Sequence, residues 1–177
     1  MSTLANEREG AEIVHGNEEC QKQSLALLEE LGFPKGVLPL NNLEECGRVR
    51  ETGFVWMKLK EPYEHYFESI KSKVSYAGEV TCYVEKSKMF KMTGVKSKQL
   101  ILWVPISEMI ITRSGTKIIF KTPMGLGKAY PLTAFMTEEE KEEHLKKMSE
   151  KNRRGGDGYG LRWLDLFLCF VFLLVLC

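Results

Sequence analysis

Ile110-Ile111-Thr112-Arg113-Ser114-Gly115-Thr116-Lys117-Ile118-Ile119-Phe120 is the stretch that decides the class of this fold. Branched and aromatic side chains flank Ser114-Gly115, whose glycine is free to take a positive φ, and the pattern reads as a β-hairpin. Upstream, Val80, Cys82 and Val84 alternate with Thr81, Tyr83 and Glu85, which is the period of a strand with one buried face. Leu100 to Ile106 is a continuous apolar run, expected to be a strand covered on both sides. Gly53 to Leu59, rich in aromatic and branched residues, gives a first strand, and Tyr130 to Phe135 a last one with Pro131 marking an edge or bulge. Tyr63 to Ile70 fits both a helix face and a strand face, and strand is the preferred assignment. The expected fold is mainly β, a roll or distorted β-barrel.

One helix precedes this array. Asn17 is placed to cap it, Glu18 and Glu19 sit in its first turn, and Cys20, Ser24, Leu27, Leu28 and Leu31 recur on one face before Gly32 and Pro34 stop it. After the array, Thr137 and Glu140 have capping-box spacing for a charged helix running to Met148. The domain plan is a mobile N-terminus over 1–14, a β-rich domain over 15–136, the charged helix over 137–148, a glycine-rich linker over 149–160 and an apolar tail over 161–177.

That tail contains Leu161, Trp163, Leu164, Leu166, Phe167, Leu168, Phe170, Val171, Phe172, Leu173, Leu174, Val175 and Leu176. As a helix it would reach about 26 Å at ~1.5 Å per residue, short of a ~30 Å hydrocarbon layer but close to the ~27 Å of a thin endoplasmic-reticulum bilayer. A weak membrane anchor, with Arg153 and Arg154 on the cytosolic side and lipidation of Cys169 as an aid, is one expectation. An end from an alternative transcript, with no structural role, is the other.

Charge and cysteine usage narrow the setting. Lys plus Arg number 25 and Asp plus Glu 24, so no whole-chain field draws the protein to nucleic acid, and none is expected as a partner. Cys20, Cys46, Cys82, Cys169 and Cys177 form no C-x-x-C pair, which argues against a zinc site or disulfide scaffold and for a reducing compartment. The N-terminus has no apolar core of a secretory signal, so the folded part is expected to face the cytosol.

Reaction chemistry is sparse. Aspartate occurs only at Asp157 and Asp165, outside the strand array, and His15, His65 and His144 are far apart with no H-E-x-x-H or G-x-S-x-G motif to organise them. His65, near Glu64 and Glu68, is the one histidine to consider for acid-base work, and packing is the commoner role for such a residue. Cys82 is expected to be a small core side chain. Gly125-Leu126-Gly127-Lys128 lacks Walker spacing and reads as a turn. Lys86, Lys88, Lys91, Lys96 and Lys98 could meet an anionic lipid surface or simply guard a solvated hairpin edge. No catalytic residue, metal ligand or cofactor is assigned.

Several stretches taken together carry a resemblance. They are Val14-His15-Gly16-Asn17-Glu18-Glu19-Cys20, Leu31-Gly32-Phe33-Pro34-Lys35-Gly36-Val37-Leu38-Pro39, Glu51-Thr52-Gly53-Phe54-Val55-Trp56, Met92-Thr93-Gly94-Val95-Lys96-Ser97-Lys98 and Leu102-Trp103-Val104. Over about His15 to Phe135 the chain resembles the plant domain-of-unknown-function 538 family. The resemblance implies a mainly β fold led by one helix, carries no catalytic residues to transfer, and brings suggested likeness to lipid-binding β folds. The preferred functional expectation is a non-enzymatic domain binding an amphipathic small molecule or lipid, held near membranes by its tail. An ester hydrolase built on His65 and a protein-interaction module are the alternatives.

Overall fold

A computed structural model describes residues 7–155. Two units divide the chain after Thr137. The first is a 10-stranded antiparallel sheet with one helix. In chain order it comprises β1 (Glu12–His15), α1 (Asn17–Leu31), β2 (Leu43–Val49), β3 (Phe54–Leu59), β4 (Tyr63–Phe67), β5 (Ser72–Glu85), β6 (Lys88–Gln99), β7 (Leu102–Pro105), β8 (Glu108–Ile111), β9 (Lys117–Lys121) and β10 (Gly127–Pro131). Short 3-10 turns at Lys35–Val37, Glu68–Ile70 and Leu132–Phe135 complete it.

The sheet forks. Its main path is β1-β2-β3-β5-β6-β8-β9-β10, while β4 branches from β5 and β7 from β6. The cause lies in the long β5–β6 hairpin, whose register slips between Tyr76 and Thr81 and again before Tyr83. Such bulges bend a strand and raise its twist. One half of β5 therefore pairs with β4, from Tyr63↔Tyr76 to Phe67↔Ser72, and the other with β3, from Phe54↔Tyr83 to Lys58↔Glu79. Likewise β6 gives Lys88 and Met89 to β8 and Lys96 to Gln99 to β7. Closure would require β1 and β10 to pair, and each pairs with one strand only. The mainly β architecture led by one helix agrees with the expectation of a roll or distorted barrel, with the sheet open rather than closed into a barrel.

Both faces of the central strands are covered. On one, Val55, Met57, Val80, Cys82 and Val84 meet Cys20, Leu27, Leu28 and Leu31, the apolar stripe foreseen for α1. On the other, Val49, Phe54 and Trp56 form a second cluster with Ala11 and Tyr83. Trp56 is wholly buried, lies in register with Gly47, and donates its indole N–H to Glu45 Oε1 at 2.8 Å. Lys58 first, and then this indole, hold the Glu45 carboxyl below its ordinary range. Arg8 lies 4.5 Å over the Trp56 ring and is paired with Glu79.

Several local expectations change. The expected last strand over Tyr130 to Phe135 ends at Pro131, and Leu132–Phe135 is a 3-10 turn. Asn17 is the first residue of α1 rather than its cap: Gly16 holds the N-cap position, and Asn17 Oδ1 accepts the Leu43 N–H at 3.0 Å, tying the helix to β2. The helix stop is as expected, with Gly32 left-handed at φ 81° and its N–H bonded to Glu29 O. Leu100 to Ile106 is not a doubly covered strand. It is the tip of the β6–β7 hairpin followed by an edge strand, and Leu100, Ile101 and Leu102 face solvent. Finally, β1 and β2 precede the expected first strand, and β1 takes Glu12 to Val14 from the stretch assigned to a mobile N-terminus.

The second unit contributes α2 (Glu138–Gly155), which starts directly after Thr137 and runs past Met148 into the expected linker. Glu138, Glu139 and Glu140 occupy its first turn, where carboxylates favour the helix dipole, and Lys141–Glu138 and Lys147–Glu143 pair along it. Among the described residues no helix is long and apolar enough to cross a membrane. The expected tail from Leu161 to Leu176 lies outside the described residues.

Candidate ligand-binding pocket

The fork in the sheet leaves a concave space. The branch formed by β4, β7 and the adjoining halves of β5 and β6 supplies one wall, with Phe67, Val74, Tyr76, Val95 and Val104. Met109, Phe120 and Tyr130 from β8, β9 and β10 supply the opposite wall. Val37 and Phe135, from two of the 3-10 turns, form the end. The cavity measures about 290 Å³ and is partly open to solvent. That is close to the lower end of the ~300–1,000 Å³ typical of small-molecule sites.

Phe135 organises the aromatic part of the lining. Its ring centroid lies 5.5 Å from Phe67, 5.3 Å from Phe120 and 6.2 Å from Tyr130, with edge-on or tilted geometry. Gly36 lets the Lys35–Val37 turn approach this residue, since a Cβ at Gly36 would sit 2.6 Å from the Phe135 carbonyl oxygen. Tyr76 stacks on Tyr63 at 6.2 Å. Burial, and then the neighbouring Tyr63, push the Tyr76 phenol far above its ordinary pKa, so it is neutral at any physiological pH.

Polar groups gather towards the opening. Ser97 exchanges a hydrogen bond with Ser72 at 3.2 Å and accepts one from Gln99 Nε2 at 3.1 Å. Lys121 pairs with Glu108 at 3.1 Å, and Lys128 lies 5.0 Å from the Tyr130 ring centroid. Thr122 Oγ1 is buried and has no hydrogen-bond partner among the described residues. The arrangement is an apolar floor with hydroxyl, amide and ammonium groups at its rim.

The residues singled out from sequence lie elsewhere, apart from three in the Gly125–Lys128 segment. His65 is half-buried on β4, takes part in a 3.0 Å hydrogen bond between its Nδ1 and the Tyr63 hydroxyl, and packs against Phe67. Burial lowers its pKa. Glu64 is paired with Lys73 on the other face of β4, and no carboxylate, serine or cysteine hydrogen-bonds His65 among the described residues. Cys82 is buried in the core beneath α1, and its thiol is pushed up to about 12 by burial alone. No cluster of three metal-ligating side chains occurs among the described residues. Of the Gly125–Lys128 segment, Gly125 and Leu126 lie in the β9–β10 turn, as expected, while Gly127 and Lys128 open β10, and Leu126, Gly127 and Lys128 line the pocket. Lys96 and Lys98 are exposed on β6, flanking Ser97 of the lining.

The pocket itself was not legible from strand periodicity, because its residues come from seven strands and three 3-10 turns and alternate like any core residues. The proline-bracketed Lys35-Gly36-Val37 turn was the one local signal, since a glycine in a tight connection leaves room for a close backbone approach.

A second concavity of about 270 Å³ lies between α1 and β2–β3. Its charged groups are already matched, with Arg48 bidentate to Glu30 at 2.7 and 2.8 Å and Arg50 bidentate to Glu12 at 2.7 and 3.0 Å.

No curated protein and no solved structure matches this chain. A family model described as "Protein of unknown function, DUF538" matches residues 24–136, from the middle of α1 to the end of the last 3-10 turn. That span holds every strand from β2 to β10 and the whole pocket lining. The chain belongs to the DUF538 family.

Proposed function

We propose that this protein is a binding domain for a single-chain amphiphile with an anionic head, and that it takes the apolar chain into the pocket of the forked sheet. The observation that carries the reading is the division of the lining into an aromatic and aliphatic floor and a polar part bearing Ser97, Gln99, Lys121 and Lys128. An apolar tail gains from leaving water, and a carboxylate or phosphate head meets the Lys121 and Lys128 ammonium groups. No reaction is assigned to the site: His65 does not line it, and the cysteines Cys20, Cys46 and Cys82 are buried elsewhere.

The test is competition between dodecanoate and a dansyl-labelled fatty acid on the full chain. Saturable displacement at one site is expected, weakened at least tenfold by Val104→Trp, which fills the space from the β7 edge. Lys128→Glu should weaken dodecanoate and leave dodecanol unchanged. Displacement identical in Val104→Trp would place binding outside the pocket and refute the reading.

A further inference from the structure

Two hairpin tips break the rules that govern surface turns, and both stand at the pocket opening. The β6–β7 hairpin closes on Gln99↔Leu102, leaving Leu100-Ile101 as its two-residue loop. Such loops strongly favour Asn and Gly because they need positive φ. Here Leu100 takes φ 55°, and it and Ile101 are 96% and 87% exposed. In the β9–β10 turn, Met124 is 86% and Leu126 69% exposed. Elsewhere in residues 7–137 no large apolar side chain is more than half exposed. A left-handed leucine with no packing in return is the kind of local cost found at functional surfaces, and an apolar cluster left in water is characteristic of an interaction site.

The charge around the tips selects the partner. From Lys86 to Thr137 the chain carries nine basic residues and one acid, Glu108, although the whole chain is almost neutral. That acid is already paired with Lys121. Lys96 and Lys98 run up β6 to the first tip, and Lys121 and Lys128 flank the second. Apolar tips flanked by lysines in a stretch with a single acid are matched by a surface that offers hydrocarbon below and negative charge above. A protein partner would need its own apolar socket and acidic rim, whereas an anionic bilayer supplies both without a specific shape.

We propose that the tips at Leu100–Trp103 and Met124–Leu126 dock the sheet onto an anionic lipid bilayer, independently of the C-terminal tail. Gln99, Val104, Leu126 and Lys128 belong both to these hairpins and to the pocket lining, so docking turns the opening towards the lipid. The docking surface goes beyond the binding reading and stands without it.

Trp103 is the reporter, because it is partly exposed at the first tip while Trp56 is wholly buried. The full chain with Trp163→Phe is mixed with phosphatidylcholine–phosphatidylserine vesicles carrying brominated acyl chains. Quenching of tryptophan emission is expected, falling with added salt and absent with phosphatidylcholine alone. Leu100→Glu with Ile101→Glu should reduce it at least fivefold, and Lys96→Glu with Lys98→Glu, which leaves the apolar tip intact, should do the same. Both pairs face solvent, and a circular-dichroism spectrum matching the parent establishes that they fold. Vesicle co-sedimentation without Trp103 quenching would give membrane binding to the tail alone and overturn the proposal. Equal quenching in the variants would also overturn it. So would loss of quenching together with a dimer that Leu100→Glu dissolves, which would assign the tips to a second copy of the chain. Quenching that persists in a protein unable to bind dodecanoate would uphold docking and sink only the pocket reading.

Discussion

Gly47 and Trp56 face each other across β2 and β3, and the indole occupies the space where a side chain at position 47 would stand. Gly47→Ala should therefore cost about 1–3 kcal/mol, the usual range for overpacking, read as a lower urea midpoint with an unchanged slope. A stability equal to the parent would mean that the ring moves aside freely. Cys82 gives a pH prediction of definite sign. Its thiol is pushed up to about 12 in the folded chain by burial, against ~8.5 in an unfolded one. Between those values the unfolded state loses a proton that the folded state keeps, so stability falls as pH rises, by up to ~1.4 kcal/mol per pH unit. Cys46, also pushed up to about 12 by burial and then by Cys20, adds to the same slope. Urea midpoints in reductant at pH 8 and pH 10 should show the fall, and Cys82→Ala should lessen it, leaving the part due to Cys46. The same slope in Cys82→Ala would remove this thiol as a source. Cys82 was legible in sequence because it alternates with valines. The Gly47–Trp56 pair was not, since nothing local to either residue reveals a partner in another strand.

At the scale of elements, α1 is held by the stripe of Cys20, Leu27, Leu28 and Leu31. Leu28 and Leu31 are 2% and 4% exposed, so replacing either with Ala should destabilise by ~2–5 kcal/mol in urea unfolding. A loss below ~0.5 kcal/mol, as for surface changes, would contradict the packing. This element was readable because period, first-turn acids and Gly32 agree on one helix. The start was misread for a physical reason: the Asn17 side chain is engaged by Leu43 N–H in β2, a contact across 26 residues that outcompetes the local cap. The Leu100–Ile106 run was misread because a continuous apolar stretch signals burial, and here two of its residues form a turn exposed at the pocket opening. β2 was missed because Glu44, Glu45, Gly47 and Arg48 interrupt any alternation, and its β character comes from pairing on both sides with β1 and β3.

The whole molecule is shaped by the bend of one hairpin. Bulges between Tyr76 and Tyr83 divert β4 and β7 from the main path, keep the sheet open and create the cavity in the angle between the two branches. Sequence conveyed a β-rich domain of aromatic strands, but it could not separate aromatics that fill a core from those that line a space. The structure divides them: Phe54, Trp56 and Tyr83 belong to the closed cluster, and Tyr76, Phe120, Tyr130 and Phe135 to the pocket. The central claim is that this space takes the chain of an amphiphile. Its most direct test is a methyl-resolved nuclear magnetic resonance titration of the full chain with dodecanoate below its micelle concentration. Saturable shifts are predicted at Val74, Val95, Val104, Met109 and Leu126, with Val55 and Leu28 unmoved beneath α1. Shifts that never saturate, or that fall on Leu28 and Val55 while the lining methyls stay still, would contradict the account.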